Sequence, residues 1–190
     1  MYQTILSDTN LYRYLLKLDE DLAAEARRKG CACGGRLHSA QYPRKPRGVP
    51  EELQEDYSHR HSFCCDRDGC RKRTTPPTFR FLLRRVYVSV VVVLVTALRH
   101  GATPERVAKL RALVGVSRRT LERWRHWWVE EFTRAAFWRS AMGRLAVPVE
   151  KTTLPLSLLE CFQKPTEKEK TIDLLRFILP LTSASVIQEY

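Results

Sequence analysis

The chain has no apolar run long enough to span a bilayer. Its longest, Val86 to Leu98, covers 13 residues, where a membrane helix needs roughly 20. That run reads instead as a buried element of a folded core. The opening MYQTILSDTN has neither the basic flank nor the apolar stretch of a secretory signal. The expected compartment is therefore the cytoplasm, with no membrane partner. There is no internal repeat and no low-complexity tract. Aspartate is scarce in the second half, where Asp173 is the only one after Gly115. No alternating strand pattern follows Gly115. A two-metal nuclease needs several carboxylates converging on one site, so no catalytic centre is expected.

What the chain has in excess is positive charge. The net is +12, from 33 Lys and Arg against 21 Asp and Glu. Residues 1–30 are net neutral, 31–85 carry +6, 86–144 carry +7 and 145–190 carry −1. A basic middle between a neutral head and a nearly neutral tail is the electrostatic footprint of a polyanionic partner. Arginine outnumbers lysine there. Its planar fork grips a phosphate or a guanine edge bidentately, which lysine cannot do.

Five of the six cysteines fall between residues 31 and 73. In a reducing compartment, clustered cysteines point to a metal before a disulfide. One half-site is Gly30-Cys31-Ala32-Cys33-Gly34-Gly35, and the other runs from Phe63-Cys64-Cys65 to Gly69-Cys70. Each sets cysteines beside glycine, whose freedom allows a tight turn with amides aimed at sulfur. Together they supply four thiolates for one tetrahedral Zn²⁺. Cys31, Cys33 and Cys70 are the first three ligands. Cys65 is favoured as the fourth, since it shares a strand face with Phe63, and Cys64 is the alternative. His38, His59 and His61 could substitute but read better as solvated or phosphate-facing. Asp66 and Asp68 sit in an expected turn, so a structural metal is expected rather than a catalytic one. Cys161 lies apart and reads as a small core residue. Two basic runs flank the site. Arg44, Lys45 and Arg47 form a proline-stiffened string resembling a minor-groove hook. Arg71, Lys72 and Arg73 follow the last cysteine and can face phosphates.

Leu11, Leu15, Leu18 and Leu22 predict an amphipathic helix over 9–29, opened by Ser7 or Asp8 and stopped by Gly30. Thr74-Thr75-Pro76-Pro77 is a break, and 86–99 is a buried helix. Thr103-Pro104-Glu105 starts a helix that Gly115 ends. Val116 then plugs the gap, and Ser117 caps a helix running to about Phe132. This is helix-turn-helix grammar. Leu121, Trp124, Trp128 and Phe132 line its inner face. Arg118, Arg119 and Glu122 point outward as base readers, with Arg123, Arg125 and His126 nearer phosphate. Arg111 stands where a small residue is expected at the helix crossing. Trp138 belongs to the core with Trp124 and Trp128, and Trp127 is expected to face outward. Further helices are expected over 134–145, 156–162 and 167–178.

The strings Cys31-Ala-Cys-Gly-Gly, Tyr42-Pro-Arg-Lys-Pro-Arg-Gly, Ser62-Phe-Cys-Cys, Gly69-Cys-Arg-Lys-Arg and Val116-Ser-Arg-Arg-Thr-Leu-Glu-Arg-Trp come in this order. The arrangement resembles the zinc-ribbon and helix-turn-helix front ends of bacterial insertion-sequence transposases and their short companion proteins, over about residues 30–130. The resemblance implies sequence-specific binding of double-stranded DNA by a nucleoid-associated accessory factor of transposition or recombination. It also implies a separate recombinase or transposase as partner, and a homodimer is compatible with it. A transcriptional regulator of the same architecture and an RNA-binding zinc protein are the alternatives. The stretch Leu98-Arg99-His100 resembles part of a tyrosine recombinase motif, but its other basic catalytic residues are not recognisable. The expected fold is mainly α, a small zinc-ribbon-like module of short β hairpins followed by a helix-turn-helix bundle. The expected segments are an N-terminal helix (1–30), a zinc module (31–85), a DNA-binding domain (86–145) and a helical tail (146–190).

Overall fold

The computed structural model describes residues 2–82, 86–98, 103–145 and 147–183, with all their side chains except those of 106, 107, 110 and 111. The chain is mainly helical, with a few short antiparallel strands. It divides into two units. A cysteine-bearing unit comprises Asp8–Val88 with Ile178–Tyr190, and a helical unit comprises Met1–Ser7 with Ser89–Phe177. These divisions differ from the boundaries expected at 30, 85 and 145. The long N-terminal helix shares a core with the cysteines, through Ala23 beside Cys31, Leu37, Phe63 and Cys65. The tail is split, because Thr182 accepts hydrogen bonds from the cysteine-bearing unit. Its hydroxyl takes the Thr78 amide at 2.8 Å, and its carbonyl takes Arg60 Nη2. No helix among the described residues is long and apolar enough to cross a membrane.

In the cysteine-bearing unit, helix α2 spans Thr9–Lys29, after a short α1 over Tyr2–Leu6 that belongs to the helical unit. Asp8 caps α2, accepting from the amides of Asn10 and Leu11 at 3.0 and 3.3 Å, and Gly30 ends it at φ +71°. The buried stripe is Leu11, Tyr12, Leu15, Asp19 and Ala23. It is turned slightly from the leucine stripe expected, so that Leu18 and Leu22 are only half-buried. The cause is Asp19, whose carboxylate is drawn inward by three donors. It accepts from the Phe79 amide at 2.6 Å, Arg80 Nε at 2.8 Å, and the Thr78 hydroxyl. Arg80 also donates to the Asp56 carbonyl at 2.9 Å, and both Asp19 and Arg80 side chains are 1% exposed. A buried charge persists only when paired and hydrogen-bonded in this way. Strands β1 (Leu37–Ser39), β4 (Phe63–Cys65) and β5 (Arg73–Thr74) form one antiparallel sheet, while β2 (Tyr42–Pro43) pairs with β3 (His59–Arg60). The register sets Leu37 against Cys65 and Cys64 against Arg73.

In the helical unit, α3 (Ser89–Ala97) is buried on every side, all nine residues of it. Its β-branched run favours strands locally, and burial overrides that preference. The one hydroxyl near its end, Thr96 Oγ1, donates to the Val92 carbonyl at 2.7 Å. Helix α4 spans Pro104–Val114, Gly115 turns at φ +64°, and α5 spans Arg118–His126. The hydroxyl of Ser117 accepts the Thr120 amide at 3.2 Å and so caps α5. The crossing expected to be disturbed by Arg111 lies outside the described side chains. After α5 the helix widens into a π turn over Trp127–Glu131, in which the Phe132 amide reaches back to the Trp127 carbonyl. Short helices α6 (Phe132–Arg134) and α7 (Ala136–Ala141) follow, then α8 (Leu156–Glu160) and α9 (Glu167–Ile178). Val116, Leu121, Trp124, Trp128, Phe132 and Trp138 are all buried. Trp127 is buried as well, at 7% exposure, against the outward placement expected. The extra residue of the π turn shifts the helical phase, and both adjacent tryptophans then reach the core. Their rings meet edge to face with centroids 4.9 Å apart.

Candidate metal centre and nucleic-acid interface

Cys31 and Cys33 lie in the turn that leaves α2. Gly34 closes it at φ +84°, its amide donating to the Cys31 carbonyl at 2.8 Å, and the Cys31 amide returns to the Gly35 carbonyl at 3.0 Å. Cys65 ends β4, and Cys70 lies in the loop before β5. That loop is held by the Cys65 amide on the Lys72 carbonyl at 3.0 Å and the Cys70 amide on the Arg67 carbonyl at 3.1 Å. The two turns bring four thiols together. Cys31 Sγ lies 3.7 Å from Cys70 Sγ, and Cys33 Sγ lies 3.5 Å from Cys65 Sγ. All four sulfurs fall within 4.8 Å of one another. Thiolates about 2.3 Å from a central ion stand about 3.8 Å apart along a tetrahedral edge. The observed separations match that edge and are far longer than the roughly 2.05 Å of a disulfide. The four cysteines could therefore bind a metal ion. Cys64 is outside the cluster, its Sγ directed to the Arg71 carbonyl at 3.5 Å. The alternation of β4 explains this, since Phe63 and Cys65 are buried on one face and Cys64 is half-exposed on the other.

The electrostatics of the four sulfurs are unequal. A hydrogen bond from the Gly35 amide, aided by the neighbouring thiols, holds Cys33 down to about 6. At Cys65 the Arg67 amide, 3.4 Å from the sulfur, favours the thiolate, but loss of solvation and the other three cysteines prevail and push it up to about 12. The Lys72 amide favours the thiolate of Cys70, yet Cys33 and Cys31 beside it raise that thiol overall. Such amide–sulfur bonds are what a metal-bound tetrathiolate needs around it. Asp66 braces the site from outside. It accepts the Arg36 amide at 2.8 Å and lies 3.3 Å from His38 Nε2. His38 and then the Arg36 amide hold its carboxyl below the usual range. Asp68 is paired with Arg71 at 2.7 Å. Among the described residues His38, His59 and His61 stand outside the cysteine group.

The basic residues read from the sequence have diverse settings. Arg44 is half-buried, its guanidinium 5.5 Å from the Phe81 ring centre. Arg47 is exposed but laid over Tyr87 at 5.9 Å, and its backbone bridges to Val86 and Val88. The 44–47 string is thus fastened to the 86–88 segment, with Lys45 exposed. Arg71, Lys72 and Arg73 are all exposed. Arg71 takes a positive φ of 43°, and Arg73 stacks on Tyr42 at 4.3 Å. On α5, Arg118, Arg119, Glu122, Arg123, Arg125 and His126 are all exposed. Arg118 Nε holds Glu122 Oε1 at 2.9 Å, and Arg123 reaches Thr120 Oγ1 at 3.4 Å. Glu122, Arg125 and His126 line a shallow groove of about 350 Å³ with Val129, Glu130 and Thr152.

Sequence reasoning missed several residues here. Gly35 was read only as a turn glycine, yet a Cβ built on it would stand 2.5 Å from Cys65 Sγ. Asp66 is another, taken only as a turn residue. The Asp19–Arg80 pair was also missed, and His61, read as solvated or phosphate-facing, is half-buried. Cys161 is half-exposed, its Sγ on the Ser157 carbonyl at 3.2 Å, rather than in the core. No protein-family model, curated protein or solved structure matches the chain.

Proposed function

We propose that the chain is a zinc-containing protein that binds double-stranded DNA in a sequence-dependent way. The observation that carries the reading is the outer face of α5. Six polar residues there, Arg118, Arg119, Glu122, Arg123, Arg125 and His126, are all exposed, while the inner face is fixed by buried Leu121 and Trp124. A capped helix that turns a dense arginine face to solvent suits the major groove. Arg119 and the Arg118–Glu122 pair are the base readers, and Arg123, Arg125 and His126 take phosphates. Four thiolates with amide hydrogen bonds and no open position favour structural Zn²⁺ over a catalytic ion. The exposed Arg71–Lys72–Arg73 triplet beside it adds charge toward the backbone. The arrangement supports the accessory role in transposition or recombination, with catalysis left to a separate recombinase. Burial of all four tryptophans favours duplex DNA over RNA, which is held largely by exposed stacking rings.

The test is selection of bound duplexes from a random pool, with and without a zinc chelator, repeated with Arg118→Ala/Arg119→Ala. A consensus is expected from the native chain, lost on chelation and in the double variant. An unchanged consensus in the variant removes α5 from the reading role.

A further inference from the structure

Ala23 and Phe63, which belong to the apolar cluster around the thiols, also line a groove of about 500 Å³ in the cysteine-bearing unit. Its rim carries Arg27 and Arg28 from the last turn of α2, Ser39 at the end of β1, Gln41 and the imidazole of His61. Among the described residues no acidic side chain lines it. Both arginines are exposed, and Glu25, the acid nearest them in sequence, is held by Lys29 at 2.6 Å. His61 Nε2 is buried with no hydrogen-bond partner, an unmet bond that folded proteins rarely leave. Arg73 approaches the same edge, its Nη1 donating to the Ala40 carbonyl at 3.4 Å, between Ser39 and Gln41 in the chain. The groove therefore offers guanidinium, hydroxyl and amide donors from several directions above an apolar floor, with the His61 ring in its wall. A carboxylate would use one arginine fork. A tetrahedral phosphate, with oxygens pointing several ways, uses the whole set.

We propose that this groove seats a backbone phosphate of the DNA, a contact separate from α5 that rests on the DNA-binding reading above. The neutral net charge of residues 1–30 conceals it, because Arg27 and Arg28 are offset in composition by acids engaged elsewhere: Glu20 and Asp21 with Lys17, Glu25 with Lys29 and Asp19 with Arg80.

Two titrations of the full chain test it. In the first, inorganic phosphate is added while the His61 ring is followed by NMR. In the second, random and preferred duplexes are bound across a salt series. His61 should shift with phosphate in the native chain and stay still in Arg27→Ala/Arg28→Ala. The same variant should bind both duplexes about tenfold more weakly and lose about 1 from the slope of log affinity against log salt, with its sequence preference intact. Both arginines are exposed, so the variant should keep the native circular dichroism, and Arg27→Lys/Arg28→Lys should restore the slope. A silent His61 overturns the site even if duplex binding stands. A responding His61 with an unchanged slope overturns the DNA assignment and leaves a site for a free phosphorylated molecule. A native chain that binds no duplex overturns the DNA reading itself.

Discussion

Replacing Gly35 by alanine should damage the metal centre through one atom. The new Cβ would stand 2.5 Å from Cys65 Sγ, 3.0 Å from Arg67 Cβ and 3.1 Å from Asp66 Oδ1. Ordinary contact begins at about 3.5 Å, so the sulfur or the turn must move by about 1 Å. A metal–sulfur bond tolerates only about 0.2 Å around its preferred length. Disturbing a group that merely orients a ligand costs about 10–100-fold in metal affinity, and a direct push on a ligand should cost at least that. Gly34→Ala is the matched control. Nothing lies within 4 Å of its added Cβ, although φ is +84°. It should lose only the backbone cost of a left-handed residue, about 1–2 kcal/mol of folding stability, with no pressure on sulfur. Competition with a chromophoric chelator gives the affinities, and cobalt substitution gives the thiolate absorption bands. Gly35→Ala should weaken binding at least tenfold more than Gly34→Ala and distort the cobalt spectrum. Equal affinities for the two variants would refute the placement of Cys65 as a ligand beside Gly35.

Four further outcomes follow from the structure. Cys64→Ser should keep full metal affinity while Cys65→Ser loses it, and the reverse order in the same competition assay would exchange their roles. Metal binding must displace protons from sulfurs still protonated at neutral pH, Cys65 at about 12 among them, so affinity should rise with pH. Below about 6 Cys33 takes a proton as well and affinity should fall more steeply, and a flat profile across neutrality would contradict this. Asp19→Asn leaves Arg80 buried beside a neutral partner, and loss of one member of such a pair costs about 3–5 kcal/mol. Chemical denaturation should show it, and a change below about 1 kcal/mol would mean water reaches Arg80. Ser117→Ala removes the cap on the Thr120 amide and should cost about 1 kcal/mol, seen as a lower melting temperature with a native-like spectrum.

Helix ends were the most legible part of the fold, because they are written in local chemistry. Asp8, Gly30, Gly115 and Ser117 act on amides and carbonyls within a few residues of themselves, and each stands where its side chain or φ implies. The cysteine set was legible because glycine-flanked pairs and the two-residue period of β4 are local as well. What was hidden depends on distance along the chain. Asp19 is a charge beside the leucine stripe of α2, and only Arg80, 61 residues on, makes its burial tolerable. The clash zone at Gly35 exists only once β4 is paired. Trp127 was misplaced because a 3.6-residue period was assumed through a stretch that contains a π turn.

Helix α3 carries a consequence for how the chain must be made. Its sequence, SVVVVLVTA, is helical only while neighbours surround it. In a nascent or heat-opened chain the same run is bare, uncharged and free of proline, with high intrinsic preference for extended structure. Segments of that kind pair with copies of themselves in cross-strand aggregates. The helical unit must therefore close over this run soon after it emerges from the ribosome, and recovery of soluble protein becomes a race between enclosure and self-association.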